Sequence, residues 1–204
     1  MKKIMFNDRY GLTDAVIEGR KTMTRRLIPD EFFGLTWDTR GNTLVYENEY
    51  GDFIDVRLSK YTRYKDGEIV SVAQNYFSTY DESKWENGIW YNEFADGSDI
   101  TNHAGWLNKM LVKAEYMPHQ IRITGIHCER LQDISDAECL KEGVRVEFAR
   151  NGSPMYYYFD TKRWREVWFD TPREAFAALI DKVSGRGTWK SNPWVVVYEF
   201  ELVK

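Results

Sequence analysis

In "TPREAFAALIDKVSG" the apolar positions Phe176, Leu179, Ile180 and Val183 recur at helical spacing and share one face. The start signals agree: Thr171 is a ready N-cap, Pro172 suits the first helical position and Glu174 completes a capping box. A second box opens "SDAECLKEG", where Glu138 follows Ser135 by three residues and Gly143 closes the helix. A shorter helix is predicted from Leu12 to Glu18, ended by Gly19.

Strand patterns surround these helices. "GEIVSVAQ" follows an Asp66-Gly67 turn, and "PWVVVYEFELV" is apolar on both faces before it alternates, as a strand running from sheet centre to edge would be. In "QIRITGIHCERL", Ile121 and Ile123 share one parity and Ile126 and Cys128 the other, so a bulge is expected at Gly125. Three stretches read as insertions on a smaller core. Residues 35–58 alternate around Gly41-Asn42 and Gly51-Asp52 turns, residues 76–106 are aromatic but broken by polar positions, and residues 145–170 form a hairpin at Asn151-Gly152. Mixed elements without regular strand–helix alternation predict a single α+β domain spanning 1–204, its helices set against a curved, largely antiparallel sheet or barrel.

Composition narrows the function classes. A chain of 204 residues with net charge −4 does not coat polyanions indiscriminately, so any nucleic-acid contact must use a local basic patch. The two cysteines, Cys128 and Cys139, supply no disulfide framework, and "MKKIMFNDRYGL" has no signal-like apolar run. A cytoplasmic protein without a membrane span is expected. The histidines His103, His119 and His127 do not cluster; the last two would stand about 26 Å apart along an extended strand. No metal site and no cofactor are expected.

The basic patch is "EGRKTMTRR", residues 18–26. One reading is a solvated edge strand guarded by charge. The other is chemical. Lys21 and Thr24 point to opposite faces of a regular strand, but a turn after Gly19 would let the lysine stem fold back toward the Thr24 hydroxyl. A desolvated Lys21 among Arg20, Arg25 and Arg26 would have a lowered pKa and could serve as a base toward a hydroxyl nucleophile. Glu142, at a helix end that disfavours negative charge, would then be explained by a cation such as Lys21 holding it. The alternative is an ordinary surface glutamate before a glycine cap.

"GRKTMTRR" after a short helix resembles the G-x-K-T-x-T-x-R signature of the ASCH domain, a branch of the PUA-like superfamily. "KDGEIVSV", "MPHQIRITGIHCERLQDISDAECLKEGV" and "NPWVVVYEFE" resemble, in order, segments of its phage-associated members. The resemblance implies a PUA-like curved β-barrel with flanking helices and a cleft for RNA or a modified nucleoside beside the signature strand. It implies substrate contacts at Arg20, Arg25, Arg26 and Gln74. It also implies an alternative, a small amidohydrolase that deacetylates N4-acetylcytidine with Thr24 as nucleophile, Lys21 as base and Glu142 as orienting carboxylate. Ala73 and Gln74 stand where relatives carry an Arg-Glu pair, which changes specificity or activity. A third expectation is a protein-interaction role in a phage or mobile-element pathway, with the aromatic insertion 76–106 as the partner surface.

Overall fold

The structure, a computed structural model, describes residues 1–28, 34–59, 62–79, 85–86, 89–90 and 100–203. In chain order the first elements are β1 (Lys3–Ile4), α1 (Leu12–Ile17), β2 (Met23–Leu27), β3 (Thr36–Asp38), β4 (Thr43–Glu47), β5 (Phe53–Asp55) and β6 (Ile69–Val72). Then come β7 (Trp85–Glu86), β8 (Ile89–Trp90), β9 (Gln120–Arg130), α2 (Asp136–Lys141), β10 (Arg145–Phe148), β11 (Pro154–Asp160) and β12 (Arg165–Phe169). The described chain closes with α3 (Pro172–Ser184), α4 (Thr188–Ser191) and β13 (Trp194–Leu202). The class is α+β, mostly strand with few helices. Among the described residues no helix is long and apolar enough to cross a membrane.

The chain divides into two compact units. The first comprises Met1–Phe6, Ile69–Ile121 and Val203–Lys204. There β1 pairs in parallel with β6, Lys3 facing Ser71 and Ile4 facing Val72, and β7 pairs with β8. Its core gathers Ala73, Tyr76, Val112 and Met117, with Trp106 packed against them. Most of the aromatic stretch 80–99 lies outside the described residues.

The second unit comprises Asn7–Glu68 and Arg122–Leu202. There β9, β13 and β2 are neighbours in that order, and β2 runs antiparallel to β13 with Thr24 opposite Tyr198 and Arg25 opposite Val197. Two expected insertions form small antiparallel sheets, β3-β4-β5 and β10-β11-β12. Burial along β9 shifts phase as its apolar pattern predicts: Ile121 and Ile123 are buried, then Cys128. Both capping boxes form, at Ser135–Glu138 and at Thr171–Glu174. The stripe on α3 is narrower than its spacing suggests, because Phe176, Leu179 and Ile180 are buried while Val183, one residue from the helix end, is exposed.

Gly143 ends α2 at φ +105, a conformation that side chains with a Cβ rarely adopt. A Cβ there would lie 2.9 Å from Leu12 Cδ2 and 3.7 Å from Lys21 Cδ. The leucine methyl can yield; the backbone angle cannot. Gly143→Ala is therefore expected to cost about 1–3 kcal/mol, seen as a lower urea midpoint with unchanged slope. An unchanged midpoint would show that α2 can end without this angle.

Candidate functional site

The turn after α1 does what the basic stretch requires. Gly19 takes φ +73, and the Lys21 N–H donates to Ala15 O at 2.8 Å, so Lys21 sits on the turn ahead of β2. The next N–H, of Thr22, donates to Lys141 O at 3.0 Å and ties the start of β2 to the last turn of α2. Lys21 is only 2% exposed, and its stem does fold back, toward Glu142 instead of Thr24. Its ammonium donates to Glu142 Oε2 at 2.6 Å, to Glu142 O at 2.8 Å and to Met23 O at 2.7 Å. A cation on helix-end carbonyls completes the C-terminus of α2. Burial pulls the Lys21 amine below its ordinary pKa, with the Glu142 carboxylate opposing that shift.

Glu142, placed here by resemblance and by its awkward position, is thus joined to Lys21 across 121 residues of sequence. Its other oxygen, Oε1, accepts from Arg25 Nη1 at 3.1 Å. Arg25 was expected to contact substrate, but its side chain is 1% exposed and Glu129 Oε1 accepts from its Nε at 2.7 Å. Strand alternation turns Arg25 into this buried network, on the face opposite Thr24 and Arg26. The Arg25 Nη2 atom is buried without a hydrogen bond, 2.7 Å from Glu129 Oε1 and 3.4 Å from Glu138 Oε2.

Thr24 and Arg26 lie on the opposite face of β2. Thr24 is 5% exposed, its hydroxyl donates to no described residue, and that oxygen is not sealed from solvent. Across the strand Tyr198 lies under Tyr64, ring edge to face at 5.2 Å, and the Tyr198 hydroxyl accepts from the Arg63 N–H at 3.0 Å. Burial raises both phenol pKa values, while the nearby Arg26 guanidinium pulls each the other way. Arg26 itself is exposed.

Beyond the tyrosine pair, the same sheet face carries an open groove of about 450 Å³. Ile126 lines it from β9, and Arg57, Leu58, Ser59, Thr62, Lys65 and Asp66 line it from the segment between β5 and β6. The Arg57 guanidinium is held by Asp55, and the Ser59 and Thr62 hydroxyls both donate to Val56 O. Nothing in the apolar pattern of residues 56–66 announces this wall.

The remaining candidates stand apart from this group. Arg20 is partly exposed and pairs with Glu18. Gln74 belongs to the first unit, where its Oε1 lies 2.7 Å from His119 Nδ1. Both cysteines are buried, and burial pushes each thiol up to about 12, which suits core residues. Trp37 stacks on Trp194, with Arg130 over the latter ring at 4.2 Å. One cluster escaped the sequence reading. His127, Glu129 and Glu138 bring ligand atoms within 4.8 Å of one another. The usable signal was the His-x-Glu spacing on one strand face, because only pairs of histidines and cysteines had been weighed.

Comparisons with protein-family models, with curated proteins and with solved structures find no match to this chain.

Removing the Glu142 charge takes the paired carboxylate from buried Lys21 and one of the carboxylates from Arg25. Glu142→Gln is expected to lower stability by about 3–5 kcal/mol, measured by urea unfolding at neutral pH. A loss below about 1 kcal/mol would mean that solvent already screens the pair.

Proposed function

We propose that the chain recognises a nucleoside, or one nucleotide of a single-stranded RNA, on the sheet face that carries Thr24, Arg26 and the groove beside Tyr64. The observation that carries this reading is the Thr24 hydroxyl: a nearly buried polar group with no partner among the described residues, beside an exposed arginine. A groove of about 450 Å³ on the same face is of small-ligand size. Its Lys65 suits a phosphate, and the Thr62 oxygen suits a base or ribose donor. The reading includes the finer expectation of an ASCH-type, PUA-like barrel, which rests on the "GRKTMTRR" signature and the ordered segment matches.

Hydrolysis of N4-acetylcytidine is the second reading, favoured by the pairing of Lys21 with Glu142 and by the lowered pKa of that amine. It ranks behind recognition because a base for Thr24 must accept a proton. The Lys21 amine is committed to two carbonyls and a carboxylate. The protein-partner reading rests on residues 76–106, most of which lie outside the described residues.

Titration calorimetry with cytidine, N4-acetylcytidine, the other ribonucleosides and a short single-stranded RNA tests the proposal. Binding is expected, weakened roughly threefold to tenfold by Thr24→Val. The stability of that variant is expected to stay within about 0.5 kcal/mol of the parent, because no internal hydrogen bond is lost. Arg26→Ala is expected to reduce RNA affinity and to flatten its salt dependence by about 0.7 in log–log slope. Absence of binding to every nucleoside and to RNA at millimolar concentration overturns the reading. Acetate release that vanishes in Thr24→Val would put hydrolysis first.

A further inference from the structure

On the face of the sheet away from Thr24, His127 and Glu129 project side by side from β9, and Glu138 approaches from the first turn of α2. We infer that His127, Glu129 and Glu138 form a binding site for one divalent transition-metal ion of the zinc type. The site is separate from the nucleoside face, so neither proposal depends on the other.

Three observations carry the assignment. The first is donor availability. Glu129 uses Oε1 on the Arg25 guanidinium, and Glu138 uses Oε2 on the Ser135 N–H and hydroxyl, both at 2.8 Å. The second oxygen of each carboxylate, Glu129 Oε2 and Glu138 Oε1, has no hydrogen bond to a described residue, nor does either ring nitrogen of His127. Each carboxylate is therefore held by one oxygen and open at the other, as outer partners hold metal ligands.

The second observation is charge. Glu129, Glu138 and Glu142 surround Arg25, Glu142 also pairs with Lys21, and Glu199 Oε1 lies 3.8 Å from His127 Nδ1. Four carboxylates stand against two basic side chains here, a surplus of negative groups that attracts a divalent ion.

The third is the Arg25 Nη2 atom, buried and aimed between Glu129 and Glu138 without a hydrogen bond to either. Arg25 thus engages Glu129 Oε1 and approaches Glu138 Oε2, and it gives no hydrogen bond to the other oxygen of either carboxylate.

Donor chemistry selects the ion. An imidazole with two carboxylates and no thiolate suits zinc and its neighbours better than calcium, which takes six to eight oxygens. The ligand atoms, now within 4.8 Å of one another, must close by roughly 1 Å to reach bonds of about 2.0–2.2 Å. Side-chain torsions of the partly exposed residues supply that movement. The half-exposed histidine leaves water to complete the coordination. The bound ion would pin the first turn of α2 to β9, beside the network that pins its last turn to β2.

The test uses tag-free full-length protein stripped with a chelator. Cobalt(II) is titrated with visible spectroscopy and zinc with thermal unfolding. One equivalent of cobalt is expected to give saturable d–d absorption, and zinc is expected to displace it and to raise the melting temperature. His127→Gln and Glu138→Gln are each expected to weaken cobalt binding by about tenfold or more, and His127→Gln should melt like the parent when metal-free. Calcium at the same concentration is expected to give no shift. Absence of saturable cobalt absorption overturns the assignment, as does binding by His127→Gln that equals the parent.

Discussion

The second unit depends on one buried ion pair. Lys21 and Glu142 meet at 2.6 Å, both nearly inaccessible to solvent, and that contact fixes three things together. It closes the C-terminus of α2, holds the entrance of β2 against that helix, and supplies the carboxylate on which Arg25 leans. Two charges taken out of water are tolerated only when every proton and lone pair is matched. Here the ammonium protons go to two carbonyls and a carboxylate, and both carboxylate oxygens are used. The network is a positional device, fixing register where six residues of helix have little stability of their own.

Alternation along β2 divides the chemistry of the signature. Met23 and Arg25 turn into the charged network, while Thr24 and Arg26 turn to the face with Tyr64, Tyr198 and the groove. A string of basic residues that looks uniform in sequence is therefore two different things. One part is neutralised internally and contributes no field to a ligand. The other includes the exposed Arg26, so a chain with net charge −4 can still present a local cation.

How legible this was depended on range. Capping boxes, the Gly19 and Gly143 stops, the Asp66-Gly67 turn and the hairpin at Asn151-Gly152 are local signals, and each appears where the residues put it. The phase shift in β9 was equally readable, because burial alternates with backbone pleat. What sequence could not supply was the partner of each charge. Lys21 was expected to lean toward Thr24, three residues away, and leans instead on a residue far along the chain. Arg25 was read as a ligand contact because nothing local shows that Glu129 and Glu142 surround it. His127 was dismissed for want of a second histidine, although two glutamates were the relevant company. The groove-lining residues Ser59 and Thr62 follow no periodic pattern and are tied by side-chain hydrogen bonds to Val56 O.

The span between the two members of the ion pair has a kinetic meaning. Hydrogen bonds from position 21 to position 142 close a loop of most of the chain, so the entropy of bringing those ends together is lost before either charge gains its counterpart. Until β2 and β13 have zipped together, Glu142 remains a hydrated carboxylate on a fraying helix end. Consolidation of α2 therefore belongs to the late, native side of the folding barrier. Loosening that helix end would chiefly hasten unfolding, leaving the rate of folding almost untouched.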